Sequence, residues 1–395
     1  LRIIVHDYSG HLFPAQLSRA LAREGHEVCH VFSASFQTPK GNLVRRDDDP
    51  ATFRIRPVRL EKPFAKDSLF RRRAQEIETG QRVAEIVAEE KPDVVISTSA
   101  SLDSQRIIQR QAKASGAKFV CWLQDINSVA IERVVSQKLG PIGKLIGRHY
   151  HKMEYGILER SDHIIPITED FVPILVENGI ETSRVSVVEN WAPLDEIVPV
   201  ARDNDWSREN MPHPGLRIVY SGTLGYKHNP QLLIDVARAV DGHVYVFSEG
   251  GAASALASQA AELGVANLSV HPWVPAERLS EMFSAADVFI AMIEEDAGIF
   301  SVPSKVLGYL CAGKPIAAAI PEKNLARRII EREQAGVVVN PGSGASLVKA
   351  VKPLLADQDI RVRMGRNGRN YALKTFDIGP ITQKFEAILA DVRKA

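Results

Sequence analysis

No apolar run in this 395-residue chain approaches the ~20 residues needed to span a bilayer, and the first strand follows no signal peptide, so the expected compartment is the cytosol. Cysteine is scarce. Cys29, Cys121 and Cys311 are widely spaced in apolar segments, which points to neither a disulfide framework nor a zinc site but to reduced core residues. Excess charge is missing too: a net charge of +1 gives no global reason to expect nucleic acid, so any electrostatic attraction has to be local. There is no G-x-G-x-x-G fingerprint, and a dinucleotide cofactor loses its main support. The spelling D-x-D occurs at Asp203-Asn204-Asp205, outside any loop suited to a metal, so no metal and no other cofactor is expected. Repeats and low-complexity segments are absent. Hydrophobic residues at 45% and charged residues at 25% are the composition of a globular protein long enough for two domains.

Short apolar runs alternate with helical spacing. Residues 2–7 (R-I-I-V-H-D) read as a strand, Leu12, Leu17, Leu21 and Ala22 recur at helical spacing up to Gly25, and residues 27–32 (E-V-C-H-V-F) supply a second strand. That is a βαβ unit of the parallel-sheet kind. Further strands are expected at 93–98, 118–123, 163–168 and 185–188. The pattern lapses between 190 and 214, where four prolines suit a linker. A second series follows at 216–221, 243–247, 268–271, 287–292, 315–320 and 337–340. The expected fold class is therefore α/β, two Rossmann-like doubly wound parallel-sheet domains facing across a cleft: residues 1–192, a linker at 193–214, and residues 215–376. A final helix, 377–395, has an apolar face (Phe385, Ile388, Leu389, Val392) suited to packing back on the first domain.

Residues 302–315 (V-P-S-K-V-L-G-Y-L-C-A-G-K-P) open a short helix with Pro303, Ser304 and Lys305 and close it with Gly313. Free amides and a lysine at a helix start suit a phosphate, although Pro and Ser also open helices that bind nothing. Residues 221–230 (S-G-T-L-G-Y-K-H-N-P) follow the first strand of the second domain, where glycines admit a ligand and Lys227 and His228 can offer positive charge. Glu249 and the 271–275 stretch (H-P-W-V-P) end neighbouring strands, and Trp273 is either a platform for a flat base or a core filler. These loops converge on one crevice and favour a nucleotide diphosphate. In the first domain, Ser9-Gly10-His11 follows the opening strand, and Gln124-Asp125 ends another. Asp125 is either used in chemistry or a capping residue. His6 and Asp7 are further candidates at the opening strand's end. Residues 54–73 and 138–152 interleave basic and apolar side chains, which suits either an anionic membrane surface or a solvated basic face.

With these residues in hand, the chain resembles the retaining glycosyltransferases of family 4 with the GT-B fold. Among them it is similar to bacterial surface-polysaccharide enzymes of the O-antigen N-acetylfucosaminyltransferase group. The residues that carry the resemblance are 6–28 (H-D-Y-S-G-H-L-F-P-A-Q-L-S-R-A-L-A-R-E-G-H-E-V), 220–230 (Y-S-G-T-L-G-Y-K-H-N-P) and 302–315. It implies a nucleotide-diphosphate sugar donor held by the second domain, with uridine favoured over guanosine or thymidine. It also implies a glycan or polyprenyl-linked glycan acceptor held by the first domain, and a final helix that crosses back to that domain. The basic-apolar segments 54–73 and 138–152 would add a peripheral place on the inner face of the plasma membrane. By position, Lys227 would meet the diphosphate, and the backbone of Val302, Pro303, Ser304 and Lys305 would cradle it. Gly222, Thr223, Glu249, Trp273, Val274 and Leu307 would line the donor, while Ser9, Gly10, His11 and Gln124 would line the acceptor loop. Asp125, Lys227 and Lys305 are the catalytic candidates. Family members commonly carry two glutamates eight positions apart around this helix. Those places hold Phe300 and Gly308 here, so the ribose contact expected at Gly308 lacks its carboxylate. Two alternatives remain open on the sequence: a sugar-nucleotide epimerase of the same build, and a two-domain binding protein without chemistry.

Overall fold

A computed structural model of the chain describes residues 1–36, 38–65, 68–225, 227–298 and 300–394. Lys66, Asp67 and Tyr226, which belong to segments named above, lie outside the described residues, as do the side chains of Leu69 and Lys138. The chain divides into two units, Leu1–Glu189 with Ile378–Ala395, and Asn190–Asp377.

The first unit is built on β1 (Arg2–Asp7), β2 (Glu27–Ser33), β3 (Phe53–Val58), β4 (Val94–Thr98), β5 (Lys118–Leu123) and β6 (His163–Pro166). Their order is β3-β2-β1-β4-β5-β6, all parallel, with Ile3 opposite both Val28 and Val94. Helices cover both faces, which is why these strands read as nearly continuous apolar runs. Phe385 of the final helix, Ile378–Lys394, meets Trp122 edge-on at 5.0 Å, and Phe13 meets the same ring at 5.3 Å. His26 and Glu386 tie the helix down at 2.8 Å.

The second unit repeats the plan with β7 (Arg217–Ser221), β8 (His243–Phe247), β9 (Leu268–His271), β10 (Val288–Met292), β11 (Ile316–Ala319) and β12 (Gly336–Val339), in the order β12-β11-β10-β7-β8-β9. Its core joins Ile218, Tyr220, Val244, Val246, Val288 and Ile290 to Leu232, Leu233 and Leu347 of the covering helices. Each such fully buried aliphatic side chain contributes ~1.5–3 kcal/mol.

Three stretches differ from expectation. Residues 190–214 are folded onto the second unit and not free. Trp191, Ile197, Trp206 and Met211 are buried, and Asn204 caps the short helix Asp205–Asn210 with a reciprocal Ser207 bond. The D-x-D spelling is used up there: Asp203 pairs with Arg202 and Arg217, and Asp205 with Arg208. Residues 185–188 make one bridge, Ile164 to Val185, and two amide bonds onto the edge of β6, without a full ladder. The 54–73 segment begins as edge strand β3, where Arg54 and Arg56 pair with Glu90 and Glu89. Arg72 pairs with Glu76, Arg73 pairs with Asp103, and Phe64 is buried. Among the described residues, Arg54, Arg56, Arg72 and Arg73 are thus engaged within the fold. The three cysteines are free and buried, as expected.

Candidate functional site

In each sheet the strand order reverses direction at one point, between β1 and β4 and between β7 and β10, where right-handed crossovers take the connections to opposite faces. Open α/β sheets bind ligands at the carboxyl edge of that point.

In the second unit, the 222–230 loop after β7 and the start of helix Lys305–Ala312 after β10 both lie there. Tyr309 fixes the helix to the strand. Its hydroxyl accepts from the Ser221 N–H at 2.9 Å and donates to the Ser221 carbonyl at 3.0 Å, while its ring stacks on Phe289 at 3.9 Å. Burial holds that hydroxyl protonated. The first donors answered within the turn are the amides of Val306 and Leu307, bonded to Pro303 and Ser304. The Ser304 and Lys305 amides precede them, as a helix start requires. Ser304 has helical φ and ψ and makes no side-chain cap, contrary to expectation, whereas Gly313 closes the helix at φ +68°.

Lysines from both loops reach this point. The Lys227 ammonium donates to Ser301 Oγ at 2.8 Å and lies 5.7 Å from the Phe300 ring centre, and the Lys227 carbonyl accepts from Glu294 N–H. The two loops are thereby joined. Lys305 Nζ lies 4.8 Å from the Tyr220 ring centre and 3.2 Å from His228 Nε2. Gly222, at φ +133°, makes room for it, since a Cβ there would stand 3.1 Å from Lys305 Cε.

His228 is not the positive group the sequence suggested. The Gly225 N–H donates to its Nδ1 at 3.1 Å, so that nitrogen carries no proton. Burial, and then the charges of Lys305 and Lys227, push its pKa down to about 2. The neutral ring therefore holds its proton on Nε2, which faces Lys305. Two facing donors repel, and an uncharged amine accepts. Burial and the Lys227 charge push Lys305 down to about 7, in keeping with that arrangement.

At the ends of β8 and β9, Glu249 Oε1 accepts from the Trp273 N–H at 3.0 Å, and Ser248 Oγ accepts from the Leu224 N–H at 3.2 Å. Trp273 and Val274 are half-buried, so Trp273 is not a core filler. Thr223 is half-buried, and its carbonyl accepts from the Tyr220 hydroxyl. Val302 is half-buried, Ser304 is exposed, and Pro303 and Leu307 are buried. Gly308 is packed inward: a Cβ there would stand 3.0 Å from the Phe283 ring and 3.7 Å from Ile197 Cδ1.

The first unit's reversal point is organised by Asp7 at the end of β1. Its carboxylate accepts the amides of Ser9 at 3.2 Å and His11 at 2.5 Å, and the His11 ring lies 3.5 Å away. Burial pushes the Asp7 pKa up, but the charge and hydrogen bonds of His11 outweigh it and hold it low. A 38–43 strap lies over this loop. Lys40 Nζ donates to the Ser9 and Ser33 carbonyls at 2.7 and 2.8 Å, and Thr38 also donates to Ser9. Gly10, at φ +75°, is pressed by Leu43 and Lys40, where a Cβ would collide at 2.9 Å. Gln124 and Asp125 follow β5, one strand removed from the reversal point beside β4, and both are half-buried.

The sequence reading missed Tyr309, Ser301 and Lys40. Lys40 sits in T-P-K-G, a turn signature that marks a loop but assigns the lysine no role.

Comparison with known proteins falls on both halves of the chain. Residues 13–191 match the family described as "Glyco_trans_4_4: Glycosyl transferase 4-like domain", and residues 202–371 match "Glycosyl transferases group 1". A curated relative, "Probable glycosyltransferase WbjE" of Pseudomonas aeruginosa, is 22% identical over 58% of this chain, and the match spans 58% of that relative's length. Sucrose-phosphate synthase from Thermosynechococcus elongatus superposes with a TM-score of 0.72 at 15% identity, covering 99% of this chain and 98% of that one. HepE from Anabaena, solved in complex with UDP-glucose, gives 0.71 at 13% identity and covers 99% of both chains.

Proposed function

From a chain that carries two glycosyltransferase domains on the GT-B fold, we propose a retaining hexosyl transfer from a nucleotide-diphosphate sugar to a hydroxyl of a glycan or lipid-linked glycan in cell-surface polysaccharide synthesis. The second unit holds the donor. The observation that carries this reading is the meeting of Lys227, Lys305 and the leading amides of helix Lys305–Ala312 at one sheet reversal point. Uridine diphosphate is the favoured carrier, supported by the HepE complex with UDP-glucose on the same fold.

In the reaction the anomeric C–O bond to the diphosphate breaks, and the acceptor oxygen bonds to the same face while its proton passes to the departing diphosphate oxygen. The leaving diphosphate gathers negative charge. Lys227, Lys305 and the helix amides neutralise it with groups already in position, so no divalent ion or other cofactor is invoked. Glu249 holds the Trp273 backbone beside the base, and Gly222, Thr223 and Val302 line the diphosphate. Gly308 contributes no carboxylate, so the ribose is held by other groups. The first unit holds the acceptor through the 9–11 loop and Gln124, with Asp125 orienting the hydroxyl or steadying positive charge on the sugar. The protein works in the cytoplasm on this reading.

Lys227→Ala or Lys305→Ala should each cut turnover of a UDP-sugar by more than tenfold, about 1.4 kcal/mol in barrier. Calorimetric titration with UDP, GDP and dTDP identifies the base. Near-normal turnover in both variants would remove the diphosphate assignment, and binding of none of the three would remove the donor itself.

A further inference from the structure

The helical segment Asn127–Arg160 is 34 residues long, but it is two helices and not one rod. Gly140 has φ 54° and ψ −126°, and Pro141 follows it. The chain folds back on itself there. A Cβ at Gly143 would overlap the Val135 carbonyl, and one at Gly147 would stand 2.5 Å from the Glu132 side chain. Farther down, Glu154 accepts the amides of Asn127 and Ser128 at 2.8 and 2.9 Å, so the second arm closes the start of the first. These pairings define an antiparallel hairpin with its turn at 140. Gly143 and Gly147 are the close-packed positions that let the two backbones approach.

The hairpin springs from the end of β5, at the carboxyl edge of the sheet. Each arm between the Glu154 clasp and the turn has about 13 residues, or roughly 20 Å of helix. The tip thus stands clear of the sheet, and its apolar side chains are bare: Leu139 is 45% exposed, Ile142 66% and Leu145 67%. Lys144, Arg148 and Lys152 are exposed on the returning arm, and residues 138–152 contain no Asp or Glu. The arm is fixed to the body at Tyr150, whose hydroxyl donates to Asp103 beside Arg73. Arg73 lies three residues beyond Phe70, which is 90% exposed.

We propose that this hairpin is a membrane-docking device whose Leu139, Ile142 and Leu145 enter the interfacial layer of an anionic bilayer while Lys144, Arg148 and Lys152 meet its headgroups. The charge decides the occupant. The tip and the returning arm, residues 138–152, carry cations and no carboxylate, and Glu132, the acid opposite Gly147, is outnumbered by Lys144, Arg148 and Lys152. Such a surface complements negative lipid, and two copies of it would repel each other. It deepens the lipid-linked acceptor reading, but its test needs neither donor nor acceptor, so the two can fail separately.

The test is flotation of the whole protein with vesicles of phosphatidylglycerol and phosphatidylethanolamine, against vesicles of phosphatidylcholine alone. The protein should float with the anionic vesicles, and binding should fall by about tenfold or more on neutral lipid. Ile142→Asp with Leu145→Asp should abolish flotation at unchanged thermal stability, because both side chains are solvated. Lys144→Glu with Arg148→Glu should do the same without touching an apolar residue. Flotation that survives both pairs would overturn the proposal. So would failure of the unaltered protein to float, including the case where light scattering shows a dimer that the Asp pair dissociates.

Discussion

Lys305 meets the Nε2–H of His228, the ring of Tyr220 and the charge of Lys227, with Tyr309 one turn on. Among the described residues no carboxylate ion-pairs with it. Its pKa of about 7 makes it largely an uncharged amine in mildly basic solution. A bound diphosphate favours the ammonium, so binding must draw a proton from solvent wherever the pH lies between the free value and the raised value of the complex. The sign is fixed: affinity falls as pH rises above about 7. At pH 8, calorimetry of UDP in buffers of contrasting ionisation enthalpy should show uptake approaching one proton, lost in Lys305→Gln. Binding with no proton uptake would mean that Lys305 is already charged. At this scale the sequence showed which lysine stands at the helix start, but not that the neighbouring histidine is neutral. That depends on burial and on the amide of Gly225, which no spacing reveals.

Among the elements, helix Lys305–Ala312 is tied to β7 by the hydroxyl of Tyr309. Tyr309→Phe keeps the stack on Phe289 but leaves the Ser221 amide and carbonyl unanswered, a loss of about 1–3 kcal/mol. The midpoint of urea unfolding should fall accordingly, and donor affinity with it, because the helix start loses its register against the 222–230 loop. A variant with unchanged midpoint would show that Tyr309 does not hold the helix. Eleven of the twelve strands among the described residues were readable as apolar runs, because strands buried on both faces leave little else for their residues to be. Edge strand β3 was not: R-I-R-P-V alternates because its arginines lie at the rim and pair with Glu89 and Glu90. The hairpin was half legible. Gly140-Pro141 marks a break in the sequence, but the antiparallel pairing rests on Glu154 reaching residues 26 and 27 positions earlier.

The molecule as a whole repeats one sheet order twice, and the two copies differ in what their first two strands bury. In the first unit His6 and His30 are enclosed, bonded to Ser97 and Ser18, and burial against the opposing pull of Asp7 lowers both to about 4. An unfolded histidine takes its proton near 6.5, so the unfolded chain binds more protons between about 6.5 and 4. Stability of the first unit should therefore decline as pH falls through that window. Hydrogen exchange of β1 and β2 between pH 7 and 4.5, corrected for intrinsic rates, should show protection falling with acid, and less steeply in His30→Gln. Protection that is flat with pH would mean that these histidines are already charged in the fold.

The first unit is also discontinuous along the chain, closed by Ile378–Lys394, whose Phe385 covers Trp122. A ribosome releases the strands of that sheet long before it makes their cover. For the whole time that residues 190–377 are being synthesised, Trp122 and Phe13 lack one wall of their packing. The second unit, continuous in sequence, can complete itself first. The order of synthesis and the order of folding are thus reversed, and a nascent chain halted before residue 378 should expose the apolar surface that chaperones bind.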